Sequence, residues 1–117
     1  MTSALVLQAL AGKRFIESDE ASFQNGIALA FESAGIAFQR EVRLSERDRV
    51  DFLVGRIAVE AKIDGSLSQV TRQLHRYAQS ELIDELVLVT TRLRHARMPD
   101  RMNGKPVAVF ATMGGLR

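Results

Sequence analysis

The stretch Arg49-Val50-Asp51-Phe52-Leu53-Val54-Gly55-Arg56-Ile57-Ala58-Val59-Glu60-Ala61-Lys62-Ile63 decides how this chain folds and where its chemistry lies. Val50, Phe52 and Val54 alternate with Asp51 and Leu53; Ile57, Val59, Ala61 and Ile63 alternate with Ala58, Glu60 and Lys62. A period of two is the signature of a strand. Gly55-Arg56 between the runs fits a two-residue loop with glycine first, the type II′ hairpin choice. That loop fixes the register: Val54 faces Ile57, Leu53 faces Ala58, Phe52 faces Val59, and Asp51 faces Glu60. Opposed Cβ atoms lie roughly 4.5–5.5 Å apart, where like charges repel. Lys62, two residues beyond Glu60, points to the same face. A cation between the carboxylates would remove the repulsion, and oxygen ligands suit a hard ion such as Mg²⁺ or Mn²⁺. The bland alternative is a solvated acid–lysine pair, since Glu-x-Lys alone is common. Against it, both strands read as buried on one face, and the other face carries only this cluster and small residues.

The flanking segments build the rest of an α/β domain. Residues 3–11 are helix-prone and apolar on nearly every side, with Gly12 as the stop. This helix either packs under the sheet or meets a second copy of the chain. A second helix opens near Ser18-Asp19-Glu20 and closes at Gly35. Phe23, Ile27, Ala30, Phe31 and Ala34 share one of its faces, and Glu20 lies on the same stripe, whereas Glu32 faces solvent. Residues 36–44 alternate as a strand, but Phe38 and Val42 can share a face only if Arg40 turns inward or a bulge intervenes. Ser45-Glu46-Arg47-Asp48 reads as a solvated charged turn. After the hairpin, Ser66 or Ser68 caps a helix running from about Leu67 to Ser80. Leu67, Val70, Leu74, Tyr77 and Ala78 form its buried stripe, with Gln73 at the border and Gln69 further round. Residues 85–91 are nearly all apolar, as a central strand covered on both faces requires, and the intervening helix makes a parallel crossover. Asn103-Gly104 marks a turn before a last strand, Pro106–Ala111. Residues 113–117 are expected to be loose.

Composition narrows the function classes. The 117 residues suffice for one domain, 1–117, with one core. The absence of cysteine excludes disulfides, a thiolate nucleophile and a cysteine-rich zinc site. The net charge of +2 admits a nucleic-acid partner without demanding one. No apolar run approaches the roughly 18–20 residues of a membrane span, and the first residues lack a signal-peptide pattern, so no membrane partner and a cytoplasmic location are expected. Positive charge is densest from Arg92 to Arg101. Arg92, Arg94, Arg97 and Arg101 are the candidates for phosphate contact, and His95 reads as part of that basic loop.

Asp51, then eight residues, then Glu60-Ala61-Lys62 resembles the core motif of the PD-(D/E)xK nuclease superfamily, which includes restriction endonucleases and Holliday-junction resolvases. Val50 stands where that motif usually has proline. Gln69-x-x-Arg72-Gln73-x-x-x-Tyr77 resembles the helix that follows the motif in such nucleases. The resemblance implies a restriction-endonuclease-like core: a mixed central sheet flanked by helices, from about Glu17 to Phe110. It implies metal-dependent hydrolysis of phosphodiester bonds in DNA, endonucleolytic rather than exonucleolytic, with RNA not excluded as substrate. Asp51, Glu60 and the carbonyl of Ala61 would hold Mg²⁺ or Mn²⁺, with Glu20 reaching the metal directly or through water. Lys62 would orient the attacking water, Gln73 would help hold Lys62, and Arg72 would join the phosphate contacts. A homodimer would let two sites cut two strands. Without an active site, the same fold would serve as a nucleic-acid-binding module of a phage, mobile-element or repair assembly.

Overall fold

The computed structural model describes residues 2–112; the expectation for residues 113–117 lies outside them. The hairpin organises the sheet as its sequence requires. β2 (Arg49–Val54) and β3 (Ile57–Lys62) pair antiparallel, with Phe52 opposite Val59, Leu53 opposite Ala58 and Val54 opposite Ile57. Gly55 takes a φ of +59° and Arg56 does not take a positive one, which is the demand of a type II′ turn. β1 (Gln39–Arg43) adds antiparallel to β2. The chain then crosses through α3 (Leu67–Tyr77) to β4 (Glu85–Thr90), which lies parallel to β3. β6 (Lys105–Ala111) lies parallel to β4, and the short β5 (Arg101–Met102) pairs antiparallel with β6 at the edge. The result is a six-stranded mixed sheet in the order β1-β2-β3-β4-β6-β5. Asn103 and Gly104 have φ of +51° and +75°, the two positive values of a type I′ hairpin.

The strands at the centre separate two cores. On one face, α1 (Ser3–Leu10) and α2 (Glu20–Ser33) pack with Phe52, Val54, Ile57, Val59, Val87 and Val89. On the other, Val70, Leu74 and Tyr77 of α3 pack with Val50, Ala58, Leu86 and Leu88. β3 and β4 serve both layers: the apolar run of β4 matches that, whereas β3, read from its alternation as buried on one face, is buried on both because α3 covers Ala58 on the second. α1 therefore resolves in favour of packing on the sheet: Val6, Ala9 and Leu10 are buried in the first core. Asp19 caps α2, its side chain accepting from the Ser22 N–H at 2.7 Å. A capping box joins Ser66 and Gln69 at the start of α3. Gln69 is thus used at the helix terminus. α3 ends at Tyr77, three residues short of the expected Ser80, and Ala34 is exposed rather than on the buried stripe. Among the described residues, no helix is long and apolar enough to cross a membrane.

β1 starts at Gln39 rather than residue 36, and its broken alternation has a cause. Glu41 has a φ of +54°, a left-handed conformation that costs a residue with a Cβ roughly 1–2 kcal/mol. On one side of it, Phe38 packs with Phe31 and Phe52, and Arg40 lies 5.4 Å over the Phe52 ring. On the other side, Val42 and Leu44 join the α3 core. Arg40 does turn toward the α2 layer, and the backbone at Glu41 then switches the strand from one layer to the other.

His95 corrects a second expectation. It is fully buried rather than part of an exposed basic loop. Its Nδ1 lies 2.6 Å from the Thr90 hydroxyl and its Nε2 lies 2.8 Å from the Gly65 carbonyl. With Nε2–H donating to Gly65, Nδ1 accepts from Thr90, so a neutral ring satisfies both partners. It pins the end of β4 to the turn between β3 and α3. Arg92 and Arg94 reinforce that link, with Arg92 donating to the Ile63 carbonyl at 3.0 Å and Arg94 pairing with Asp64 at 2.9 Å. His95→Ala is expected to lower unfolding stability by about 2–4 kcal/mol through the cavity and two stranded polar partners. A urea unfolding midpoint unchanged from wild type would contradict this role.

Candidate functional site

The ladder between β2 and β3 stops one pair short of Asp51 and Glu60. From there the side chains replace the missing backbone partners. The Ala61 N–H donates to Asp51 Oδ2 at 2.8 Å, and the Asp51 N–H donates to Glu60 Oε1 at 3.1 Å. Each carboxylate thus grips the backbone of the opposite strand or of its neighbour across the row. The β1–β2 ladder also skips this row, where Glu41 stands beside Asp51. Three adjacent strands therefore bring Glu41, Asp51 and Glu60 to one level. Sequence reasoning missed Glu41; the signal was the interrupted alternation between Phe38 and Val42.

These residues open onto a cleft of about 350 Å³ whose lining includes Glu20, Glu41, Asp51, Glu60, Lys62 and Gln73. The Lys62 ammonium lies 3.4 Å from Glu60 Oε2. Glu60 is 4% exposed, so its charge is held away from water. Burial, and then the neighbouring Asp51, push the Glu60 carboxyl up to about 8. Burial likewise raises Asp51 to about 6, against the Ala61 N–H and Lys62, with Glu20 and Glu41 adding to the rise. Glu20 is exposed at the rim, at the start of α2.

Tyr77 forms the α3 side of the cleft. Its hydroxyl donates to the Arg49 carbonyl at 3.1 Å and accepts from Gln73 Nε2 at 2.9 Å. Burial and the charges of Glu60 and Asp51 hold that hydroxyl in its protonated form. Gln73 was expected to hold Lys62; it lines the same cleft, but its amide bonds Tyr77, four residues on and one helical turn away. Asp48 also departs from expectation. Its side chain is only 11% exposed and pairs with Arg76 at 3.0 Å, so the charged turn anchors an arginine over the cleft. Arg72 and Arg101 line a second, adjacent groove with Arg47 and Arg76. Arg97 is exposed at the end of the 3₁₀ turn Leu93–Arg97.

The donor set admits a hard divalent cation. Among the described residues, no three acid or histidine side chains stand together as a ready ligand cluster. Two carboxylates are what Mg²⁺ commonly takes from a protein, keeping waters at its other positions. Asp51 and Glu60 supply them, and their mutual repulsion with burial is what a cation would relieve.

No family model matches the chain, and the comparisons with curated proteins and with solved structures give no match either.

Both carboxyls bind protons more tightly folded than unfolded, so their contribution to metal-free stability is fullest below about pH 4 and is lost as pH rises through about 6 to 8. Asp51→Asn keeps an acceptor for the Ala61 N–H and removes one of two like charges. It is expected to stabilise the metal-free protein at pH 8 by about 1 kcal/mol or more, the gain fading toward pH 4. Urea unfolding across that range tests it; a variant less stable than wild type at pH 8 would contradict it.

Proposed function

We propose that the chain is a metal-dependent nuclease that hydrolyses phosphodiester bonds in DNA, on a restriction-endonuclease-like core. The observation that carries this reading is the convergence of Asp51, Glu60 and Lys62 in one cleft, a half-buried and a buried carboxylate with an ammonium 3.4 Å from the buried one. The six-stranded mixed sheet with helices on both faces is compatible with that core. Asp51 and Glu60, with the Ala61 carbonyl, would hold Mg²⁺ or Mn²⁺. Such an ion supplies Lewis-acid stabilisation of a phosphoryl group and lowers the pKa of a bound water.

The chain's own residues then have distinct tasks. The Lys62 ammonium donates to the attacking water and afterwards stabilises charge developing on the phosphoryl oxygens. Glu60 holds that ammonium in place. Glu20, on the rim, positions solvent at the mouth. Gln73 acts through Tyr77: the pair ties α3 to the Arg49 carbonyl, two residues before Asp51, and so fixes the strand that carries the carboxylate. Arg76, held by Asp48, presents positive charge at the entrance.

The test is cleavage of labelled single strand, duplex, flap, four-way junction and RNA in Mg²⁺, Mn²⁺ and EDTA. Metal-dependent cutting is expected, reduced by about 10²–10³-fold or more in Lys62→Ala and in Glu60→Ala, with the fold retained. Full activity in either purified variant would overturn the mechanism. Binding of DNA with no turnover by wild type would instead favour a non-catalytic nucleic-acid-binding module on this fold.

A further inference from the structure

A second concavity of about 620 Å³ lies beside the carboxylate cleft, between α3 and residues 99–103. Arg47, Arg72, Arg76 and Arg101 line it together with His75, and no carboxylate does. Pro99 adds exposed apolar surface beside them, and Met102 lies beneath, buried in the α3 core. Arg47 and Arg76 line the carboxylate cleft as well, so the two depressions share a wall. Arg72 and His75 are exposed, whereas Arg76 is paired with Asp48.

We propose that this groove receives an unpaired nucleotide of the substrate strand, next to the bond held in the carboxylate cleft, and that single-stranded nucleic acid is the preferred substrate class. The identity of the polymer rests on the nuclease reading given above. The shape of the groove selects the unpaired form. A duplex turns its phosphates outward and keeps its bases stacked inside, so it can touch a rim of arginines but cannot fill a pocket between them. An unpaired nucleotide does both. Its phosphates meet the guanidinium forks of the rim, and its base lies on Pro99 or against a guanidinium or imidazole plane. The pocket has no aromatic hydrocarbon ring to stack on; the planar arginines take that place. The shared wall at Arg47 and Arg76, the second paired with Asp48, joins the groove to the carboxylate cleft.

Binding measured in EDTA separates this proposal from the cleavage reading, because it needs neither metal nor turnover. Fluorescence anisotropy would compare a labelled DNA single strand, the RNA strand of the same sequence, a blunt DNA duplex and a duplex with a single-stranded overhang. At least one of the two single strands, and the overhang, are expected to bind about tenfold or more tighter than the blunt duplex. The double variant Arg72→Ala/Arg101→Ala is expected to lose about tenfold in single-strand affinity, and its salt slope should fall by about 1.4, the loss of two phosphate contacts. The distant Lys13→Ala/Arg14→Ala variant should bind single strand as wild type does. Equal or tighter binding of the blunt duplex, an unaffected Arg72→Ala/Arg101→Ala variant, or an equal loss in Lys13→Ala/Arg14→Ala would overturn the groove assignment. Cleavage lost in Lys62→Ala would still stand in that case. Conversely, strand preference without any metal-dependent cutting would keep the groove and remove the nuclease.

Discussion

Asp51 and Glu60 are two carboxylates held side by side, the first half-buried and the second buried, each bonded to a backbone N–H where a strand ladder would otherwise run. That crossed arrangement is the constraint on which the surrounding structure depends. It ends the β2–β3 ladder at Phe52 and Val59 and leaves the ends of both strands to be held by side chains. The neighbouring row member, Glu41, adopts a left-handed backbone and lets β1 pass from the α2 core to the α3 core. Val50 and Phe52, although two residues apart, likewise serve opposite cores on either side of Asp51. The level of the carboxylates is therefore where the sheet loses its regular alternation, and that irregularity opens a polar cleft between two apolar layers.

Such a pair is costly without a counter-charge. A charge-assisted hydrogen bond to a backbone N–H contributes about 1.5–3 kcal/mol, whereas burying an unpaired charge costs several kcal/mol. Lys62 offsets only part of this, because one ammonium faces two carboxyls. The remainder appears as raised proton affinity at both acids. A group of this kind takes up protons or a cation, and groups so perturbed in a cleft concentrate where chemistry is done. The rest of the fold bears the cost: β3 is buried along nearly its whole length, and Tyr77, fully packed, fixes the opposite wall.

Much of this was legible in the sequence, and the reasons are local. A two-residue glycine-first loop fixes hairpin register, so the opposition of Asp51 and Glu60 followed by counting. Burial on both faces of β4 followed from its unbroken apolar run, and the Asn103-Gly104 turn from its dipeptide. What was not legible came from contacts distant in the chain. His95 has no neighbouring acid in sequence; its partners are Thr90 and Gly65, the second thirty residues away. Asp48 looked like a solvated turn residue because Arg76, its partner, lies on a later helix. Gln73 was placed on the correct border of its helix, but which atom its amide meets depends on the rotamer of Tyr77. The arginines of Arg92–Arg101 formed one block by composition, yet the fold sends Arg92 and Arg94 to the β3–α3 turn and Arg101 to the groove beside α3.

The carboxylate pair, in the reading proposed above, takes up a divalent cation. The most direct measurement is a calorimetric titration of Mn²⁺ into the protein at pH 8, with Asp51→Asn beside wild type. Saturable binding of Mn²⁺ by wild type is expected, lost or weakened by at least about tenfold in the variant. Equal binding by both proteins, or none by wild type, would contradict it.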